Sequence, residues 1–134
     1  MKQVVFDSYA LIALFRGEQG CEYVRDILVK VSKNELSAYI SVINVGEIYY
    51  MISRKSNSKN AEQAINAVLQ FPITIINADF DITLQAATLK SRFKLSYADA
   101  FAAAITIQKK ATLITGDSEF ENLEKEKNFN VHFI

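Results

Sequence analysis

The chain has 134 residues, half of them hydrophobic, a size and composition that predict one folded domain over residues 1–134 and exclude general disorder. Its 15 basic and 15 acidic residues give a formal net charge of zero, which argues against a nucleic-acid binder that relies on bulk positive charge. One cysteine, Cys21, excludes a disulfide within the chain. One histidine, His132, is too few to complete a zinc site of cysteine and histidine.

The amino-terminal segment MKQVVFDSYALIALF does not have the sequence features of a targeting signal. Asp7 interrupts its apolar run, and no small-residue cleavage site follows. The segment therefore predicts neither a secretory signal nor a membrane span. We expect a cytoplasmic protein with no membrane association.

Short apolar segments alternate with longer segments of helical periodicity almost throughout the chain. In chain order the pattern predicts a strand at 3–6, helices at 9–15 and 18–31, a strand at 39–42, a helix at 44–53, a polar loop at 54–60, a helix at 61–71, a strand at 73–76, helices at 80–93 and 96–108, a strand at 112–115, a short helix at 118–125 and a strand at 131–134. Such alternation is typical of an α/β protein whose parallel sheet is covered on both faces.

Four acidic residues occupy similar positions relative to these elements. Asp7 directly follows the first predicted strand, and Asp117 follows the fourth with one glycine between. Glu47 and Asp99 each lie in the first turn of a predicted helix. Acidic side chains at such positions also cap helices, so a structural role explains each residue equally well when it is taken singly.

Taken together, the four acids predict a binding site. Strand ends and helix starts of a parallel sheet meet at one edge, which is where α/β folds bind ligands. Asp99 lies in the otherwise apolar stretch ADAFAAAI, and a buried carboxylate needs a cation or hydrogen-bond donors. Two carboxylates about 5 Å apart repel by about 3 kcal/mol at an effective dielectric constant of about 20, so the group would take up protons or bind a cation. With oxygen ligands alone, Mg²⁺ or Mn²⁺ is expected.

Four segments resemble the PIN-domain family in their order and spacing, namely VVFDSYALIALF, SVINVGEIYY, LSYADAFAAAI and ATLITGDSEF. The resemblance covers essentially the whole chain and points to the small VapC-type toxins of VapBC toxin–antitoxin pairs. It implies a three-layer α/β/α sandwich on a central parallel sheet. It also implies an endoribonuclease that depends on Mg²⁺ or Mn²⁺.

Carried over by position, the resemblance implies that Asp7, Glu47, Asp99 and Asp117 are the catalytic acids. Asp7, Asp99 and Asp117 would hold one or two metal ions, directly or through water. Glu47 would help to hold the metal or would position the attacking water. The expected reaction is in-line hydrolysis of an RNA phosphodiester, which leaves a 5′-phosphate and a 3′-hydroxyl.

Three further positions match residues that support the acids in the family. Thr115, two residues before Asp117, matches a threonine that orients the acidic site by hydrogen bonding. Ser8 matches the small hydroxyl residue that follows the first aspartate. Asn44 stands where relatives often carry threonine or serine, and its amide would hold Glu47 or a phosphate.

Three basic residues near the predicted site are candidates for RNA binding: Arg16 after the first helix, and Arg54 and Lys55 in the polar loop. Solvated surface charge is the alternative for each of them. The apolar run at 49–52 covers more than one side of its helix, so it would face either the core or a partner protein. The family resemblance implies both a homodimer and a cognate antitoxin.

The remaining acids near the predicted strand ends are expected to have structural roles. Asp79 and Asp81 would begin the helix after the third strand, and Asp81 could instead line the edge of the site. Glu119 and Glu121 favour the start of the last short helix. Ser118 and Glu121 have the spacing of a capping box there.

Three other functions stay open for this sequence. An RNA-processing PIN nuclease outside a toxin–antitoxin pair would share the site and differ in its substrate. A catalytically inactive PIN-like binding module would keep only the fold, which the complete set of four acids argues against. A response-regulator receiver is disfavoured, because receivers carry paired acids near the first strand and a late lysine, whereas this chain has one acid there, Asp7.

Overall fold

Residues 1–134 are all described by a computed structural model. Five strands form: β1 (Gln3–Phe6), β2 (Ser37–Ser41), β3 (Ile73–Ile76), β4 (Thr112–Thr115) and β5 (Asn130–Phe133). Six α-helices surround them: α1 (Ser8–Arg16), α2 (Cys21–Ser32), α3 (Val42–Lys55), α4 (Ser58–Gln70), α5 (Phe80–Arg92) and α6 (Tyr97–Lys109). A 3₁₀ helix (Ser118–Leu123) follows β4. None of the helices combines the length and the apolar composition that a membrane crossing requires.

The five strands form one parallel sheet in the order β3–β2–β1–β4–β5. β1 lies in the middle, with Val4 opposite Ala38 of β2 on one side and opposite Thr112 of β4 on the other. The chain first builds the sheet outwards from β1 to β3 and then returns to add β4 on the other side of β1. The gap between β1 and β4 is therefore the topological switch point, where α/β folds bind ligands beyond the carboxyl ends of the strands.

Two hydrophobic cores lie on opposite faces of the sheet and make a three-layer α/β/α sandwich. Val4 and Phe6 of β1 enter the core formed with α1 to α4, while Val5 enters the core formed with α5 and α6. Both faces of β1 are covered, which explains why its sequence is a continuous apolar run. Helix α6 is buried over eight consecutive residues, from Asp99 to Thr106. The predicted fold class is confirmed.

Helix α3 is longer at both ends than the sequence pattern predicts. It begins at Val42, directly after β2, because the Ser41 hydroxyl accepts a hydrogen bond from the Ile43 amide (3.1 Å) and caps the helix. At its other end α3 includes Arg54 and Lys55, and only two residues separate it from α4. The predicted polar loop is wrong there, because those polar side chains lie on the solvent-exposed surface of two helices.

The last predicted helix is a 3₁₀ helix that ends two residues earlier than expected. Its cap is Asp117, whose Oδ1 accepts a hydrogen bond from the Glu119 amide (2.9 Å), so the predicted capping box of the following serine is wrong. Phe120 and Leu123 are fully buried and attach the segment to the core formed with α5 and α6. These two anchors fix the position of the acidic residues at the start of the 3₁₀ helix.

We expect Phe120→Ala to lower the free energy of unfolding by about 3–5 kcal/mol, because it removes a fully buried ring beneath the 3₁₀ helix. Chemical denaturation measures the change. Phe80→Ala is the matched control, since Phe80 is 74% exposed and its loss should change the free energy by less than about 0.5 kcal/mol. Equal losses in the two variants would contradict this packing.

Candidate functional site

Two aspartates lie at the carboxyl ends of the neighbouring strands β1 and β4. Asp7 directly follows β1 and caps α1, since its Oδ1 accepts a hydrogen bond from the Ala10 amide (2.9 Å). Asp117 follows β4 after Gly116 and caps the 3₁₀ helix. Both residues therefore serve as helix caps and also lie at the switch point of the sheet.

A threonine hydroxyl joins the two strand ends. Thr115, the last residue of β4, is fully buried, and its hydroxyl donates a hydrogen bond to Oδ2 of Asp7. The same hydroxyl oxygen accepts a hydrogen bond from the Asp117 amide (2.9 Å). Asp7 is only 1% exposed, and both of its oxygens accept hydrogen bonds from the protein. Thr115 thus holds the Asp7 carboxyl in one orientation and fixes the backbone that carries Asp117.

The carboxylate of Glu47, in the second turn of α3, is held by two neighbouring side chains. Its Oε1 accepts hydrogen bonds from the Ser8 hydroxyl (2.8 Å) and the Asn44 side-chain amide (3.0 Å). Asn44 is fully buried in α3, whose cap is Ser41, so Glu47 does not cap this helix and Asn44 holds its carboxylate as the resemblance implies. Oδ1 of Asn44 is the one buried side-chain polar atom without a hydrogen-bond partner.

Three carboxylates converge where α6, β4 and the 3₁₀ helix meet. Asp99 lies in the first turn of α6, which Ser96 caps by accepting a hydrogen bond from the Asp99 amide (3.2 Å), and the residue is 6% exposed. Asp99, Asp117 and Glu119 each present a carboxylate oxygen, and these oxygens lie within 4.8 Å of one another. We call these three residues the acidic cluster.

Glu119 is a member of the acidic cluster that sequence reasoning missed. Its position two residues after Asp117 indicated only a favourable interaction with the start of a helix. The 3₁₀ helix carries Glu119 towards the start of α6, where its Oε1 accepts a hydrogen bond from the Ser96 amide (3.4 Å). The available signal was the spacing Asp-Ser-Glu at 117–119, which places two acids within one turn at a strand end.

Asp7 lies beside the acidic cluster and interacts through its charge with Asp99 and Asp117, and Glu47 interacts through its charge with Asp7. Burial raises the pKa of Asp7 from 3.8 to about 7, although hydrogen bonds from Thr115 and Ala10 lower it. The charges of Asp117 and Glu47 raise this pKa further. The structure therefore places all four sequence-predicted acids in one electrostatic neighbourhood.

The pKa of Asp99 is also raised. Burial is the largest cause, followed by Asp117, which acts through a hydrogen bond and through its charge. A hydrogen bond with Glu119 and the charge of Asp7 act in the same direction. Asp99 therefore favours its protonated form in the metal-free protein, because every neighbouring group disfavours a further negative charge there.

The set of ligand atoms fits a hard divalent cation. The converging atoms of the acidic cluster are all carboxylate oxygens, which Mg²⁺ and Mn²⁺ prefer as ligands. A cation at this position would offset the repulsion that raises the pKa values of Asp7 and Asp99. The residues that could hold such an ion are Asp99, Asp117 and Glu119, with Asp7 next to them.

The three basic residues predicted to bind RNA have different neighbours. Arg16 and Lys55 line one cavity of about 170 Å³ between α1 and α3. Arg54 lies over the ring of Tyr50, with 5.1 Å between the guanidinium carbon and the ring centre. The Tyr50 hydroxyl is in turn 3.5 Å from Oε2 of Glu47. Arg54 and Lys55 are adjacent in sequence, yet their side chains have different neighbours in the structure.

We expect the metal-free protein to lose stability as the pH rises from about 4 to about 7. The native protein keeps a proton on Asp7 up to a pKa of about 7, whereas the unfolded chain releases it at about 3.8. The stabilisation that the native protein gains from the proton on Asp7 is therefore fully present below pH 3.8. It is lost as the pH rises through the pKa of Asp7 in the folded protein, about 7. Asp7 should account for about 4 kcal/mol of this loss.

Urea denaturation in EDTA at a series of pH values measures the effect. Asp7→Asn has no carboxyl to ionise at this position, so its unfolding free energy should fall less steeply over the same range. A wild-type protein and an Asp7→Asn variant with the same pH dependence would contradict the raised pKa of Asp7.

Comparison with known proteins identifies the family and the fold. The PIN domain family matches residues 4–126 of the chain. No curated protein sequence matches it. Similar solved structures include VapBC2 from Rickettsia felis bound to a promoter DNA fragment, with a TM-score of 0.76, 15% identity and 98% of each chain covered.

Two further solved structures show the same likeness. VapC20 from Mycobacterium tuberculosis, a sarcin–ricin loop cleaving toxin, has a TM-score of 0.74 and 17% identity over 90% of this chain and 95% of that one. A toxin–antitoxin complex from Klebsiella pneumoniae has a TM-score of 0.67 and 21% identity over 98% and 99% of the two chains. These structures share the fold of the present chain. Because the family match spans most of its length, the protein belongs to the PIN domain family.

Proposed function

We propose that the protein is an endoribonuclease that depends on Mg²⁺ or Mn²⁺ and is the toxin of a type II toxin–antitoxin pair. The observation that carries this proposal is the acidic cluster, whose three carboxylate oxygens lie within 4.8 Å of one another in a chain of the PIN domain family. The cluster lies beside the buried Asp7 at the switch point of the sheet. Phosphodiester hydrolysis is the chemistry that such a group of acids supports when it holds a divalent cation.

In this proposal Asp99, Asp117 and Glu119 hold the cation, and Asp7 contributes directly or through water. The bound cation would polarise the phosphate oxygens and lower the pKa of water, which carboxylates alone do not do. Thr115 supports the arrangement because its hydroxyl holds one oxygen of Asp7 in place. Glu119 is thereby added to the metal-holding residues implied by the family resemblance.

Glu47 is proposed to act on the attacking water. Ser8 and Asn44 both donate hydrogen bonds to its Oε1, which fixes the plane of the carboxylate. Its Oε2 has one more distant donor, the Tyr50 hydroxyl at 3.5 Å, and can accept a proton as water adds to phosphorus. The bond from phosphorus to the 3′ oxygen breaks and that oxygen takes a proton from solvent. The products are a 5′-phosphate and a 3′-hydroxyl.

The toxin assignment is supported by the proteins that share the fold. The Klebsiella pneumoniae structure is a toxin–antitoxin complex, and VapC20 is a toxin that cleaves the sarcin–ricin loop. By this analogy we propose a cognate antitoxin for this chain. From the family resemblance of its sequence we also propose a homodimer, and the cytoplasm as the place where it acts on RNA. Tyr49 and Tyr50 of α3 are exposed while Ile52 is buried, so the apolar run of α3 offers part of its surface to a partner.

We expect the purified protein to cleave RNA in the presence of Mg²⁺ or Mn²⁺ and to be inactive in EDTA. Asp99→Asn and Asp117→Asn should each lower the cleavage rate by at least about a hundredfold, because each removes a negative charge that balances the cation. Glu119→Gln should weaken Mg²⁺ binding by about tenfold in isothermal titration calorimetry.

Asp81→Asn is the matched control for these variants. Asp81 is an exposed carboxylate in the first turn of α5 and lies outside the acidic cluster, so its replacement should leave the cleavage rate unchanged. Wild-type rates in both Asp99→Asn and Asp117→Asn would refute the metal site. Absence of cleavage by the wild-type protein, together with no metal binding in calorimetry, would favour an inactive binding module.

We expect the double variant Arg54→Ala and Lys55→Ala to bind RNA more weakly. The slope of log affinity against log salt concentration should decrease by about 2, because each side chain would neutralise one phosphate. Fluorescence anisotropy of a labelled RNA at several salt concentrations measures both quantities. Lys30→Ala with Lys33→Ala is the matched control. These lysines lie at the end of α2 that leads into the amino end of β2, away from the site. Equal effects of the two double variants would contradict the prediction.

A further inference from the structure

A small cavity between α1 and α3 adjoins the proposed active site. It has a volume of about 170 Å³, and the residues that line it include Tyr9, Met51, Arg16 and Lys55. We call it the α1–α3 cavity. Its lining combines an aromatic face with positive charge, and none of these residues belongs to the acidic cluster.

Tyr9 connects the α1–α3 cavity to the acids. It lies two residues after Asp7, and its ring packs directly against Gly116, the residue between Thr115 and Asp117. A methyl group on Gly116 would lie 2.7 Å from both Cδ1 and Cζ of the tyrosine, so only glycine leaves room for the ring in this position. The Tyr9 side chain is nevertheless 48% exposed. One aromatic ring is thus held in contact with the site and keeps an open face.

The charges around the cavity favour an anionic ligand. Nη1 of Arg16 lies 4.0 Å from Oε1 of Glu18, whereas Lys55 has no acidic side chain within that distance. Two basic residues and one acidic residue are thus among those that line the cavity. Proteins bind unpaired nucleotides with this combination, in which an aromatic ring stacks on the base and nearby cations contact the phosphate.

We propose that the α1–α3 cavity is a nucleotide subsite, where an unpaired base of the RNA stacks on Tyr9 while Arg16 and Lys55 contact an adjacent phosphate. This inference rests on the proposed ribonuclease function and names the residues that would hold the RNA beside the acids. A cavity of about 170 Å³ accommodates a single base and not a base pair. The cavity would therefore hold one unpaired nucleotide next to the bond that is cut. Tyr9 positions this strand on the acids.

Binding of short RNA probes to the full chain tests the subsite directly. The probes are a fluorescein-labelled single-stranded oligoadenylate, the same strand in a duplex, and an abasic strand of equal length. Ca²⁺ is included because it offsets the charge of the acids. The wild-type protein should bind the single strand more tightly than either of the other probes, because neither of these offers an unpaired base.

Replacement of the tyrosine should remove this preference. Tyr9→Leu should weaken binding of the single strand by about tenfold, because the variant loses the stacking of one base, whereas Tyr9→Phe should bind like the wild type. Binding of the abasic strand should be the same in all three proteins. Phe80→Leu is the matched control, because Phe80 is also an exposed aromatic residue, lies in α5 and does not line the cavity.

A second variant moves the ring without removing it. Gly116→Ala places a methyl group where the Tyr9 ring lies, so it should weaken binding of the single strand while leaving the abasic strand unaffected. In the Tyr9→Leu background the same change should have a smaller effect, because the displaced ring is already absent. If the effects of Gly116→Ala and Tyr9→Leu on binding of the single strand were additive, the contact between Gly116 and the Tyr9 ring would not be what positions the ring for base binding.

Cleavage assays separate this inference from the proposed function. With Mg²⁺, Tyr9→Leu should raise KM more than it lowers kcat, as expected for a lost binding contact. Metal-dependent cleavage together with unchanged affinity in Tyr9→Leu would overturn the subsite and leave the nuclease in place. Base-dependent binding that requires Tyr9, without any cleavage, would keep the subsite and refute the nuclease. Equal binding of the abasic and single-stranded probes would overturn the subsite in either case.

Discussion

The hydrogen bond from the Thr115 hydroxyl to the buried carboxyl of Asp7 holds together the two strand ends on which the site depends. Asp7 ends β1 and caps α1, while Thr115 ends β4 and accepts the hydrogen bond of the Asp117 amide. One pair of side chains therefore sets the relative positions of a helix, a strand and the 3₁₀ helix. Because both partners are buried, water does not compete for this bond, and the interaction is stronger than it would be at the surface.

The acids at this edge of the sheet lower the stability of the folded state, and apolar burial in the two cores offsets that loss. The raised pKa values of Asp7 and Asp99 show that burial and mutual repulsion disfavour their charged forms. Each face of the sheet carries its own core of 16 buried residues, and together these supply the apolar burial that keeps the acids close. Proteins commonly accept such local conflict at functional sites, where the arrangement needed for chemistry differs from the most stable one.

The sequence predicts strands β1, β3 and β4 at the residues where they occur, because each is a short, mostly apolar run. Both faces of β1 and β4 are covered, whereas the edge strand β3 leaves Thr74 exposed. Helix α3 begins two residues before its predicted start, because its cap is Ser41, the last residue of a strand. The order of strands and helices in the sequence predicts a parallel sheet. The topology of that sheet accounts for the proximity of Asp7, Asp99 and Asp117. The approach of Glu119 to Asp99 depends on the tighter turn of a 3₁₀ helix, which the sequence pattern does not distinguish from an α-helix.

The complete burial of the middle of α6 limits how this chain can change during evolution. Between Asp99 and Thr106 the helix contacts protein on every side, because it packs against the sheet, α3 and α5 at once. Its alanines permit this close approach, and a larger side chain at any of them would overpack the core at a cost of about 1–3 kcal/mol. Substitutions can therefore accumulate on the solvated faces of α2 and α4, while the segment that follows Asp99 accepts only small or closely matched residues. Packing around α6 therefore limits sequence divergence in this protein as much as the chemistry of the acidic site does.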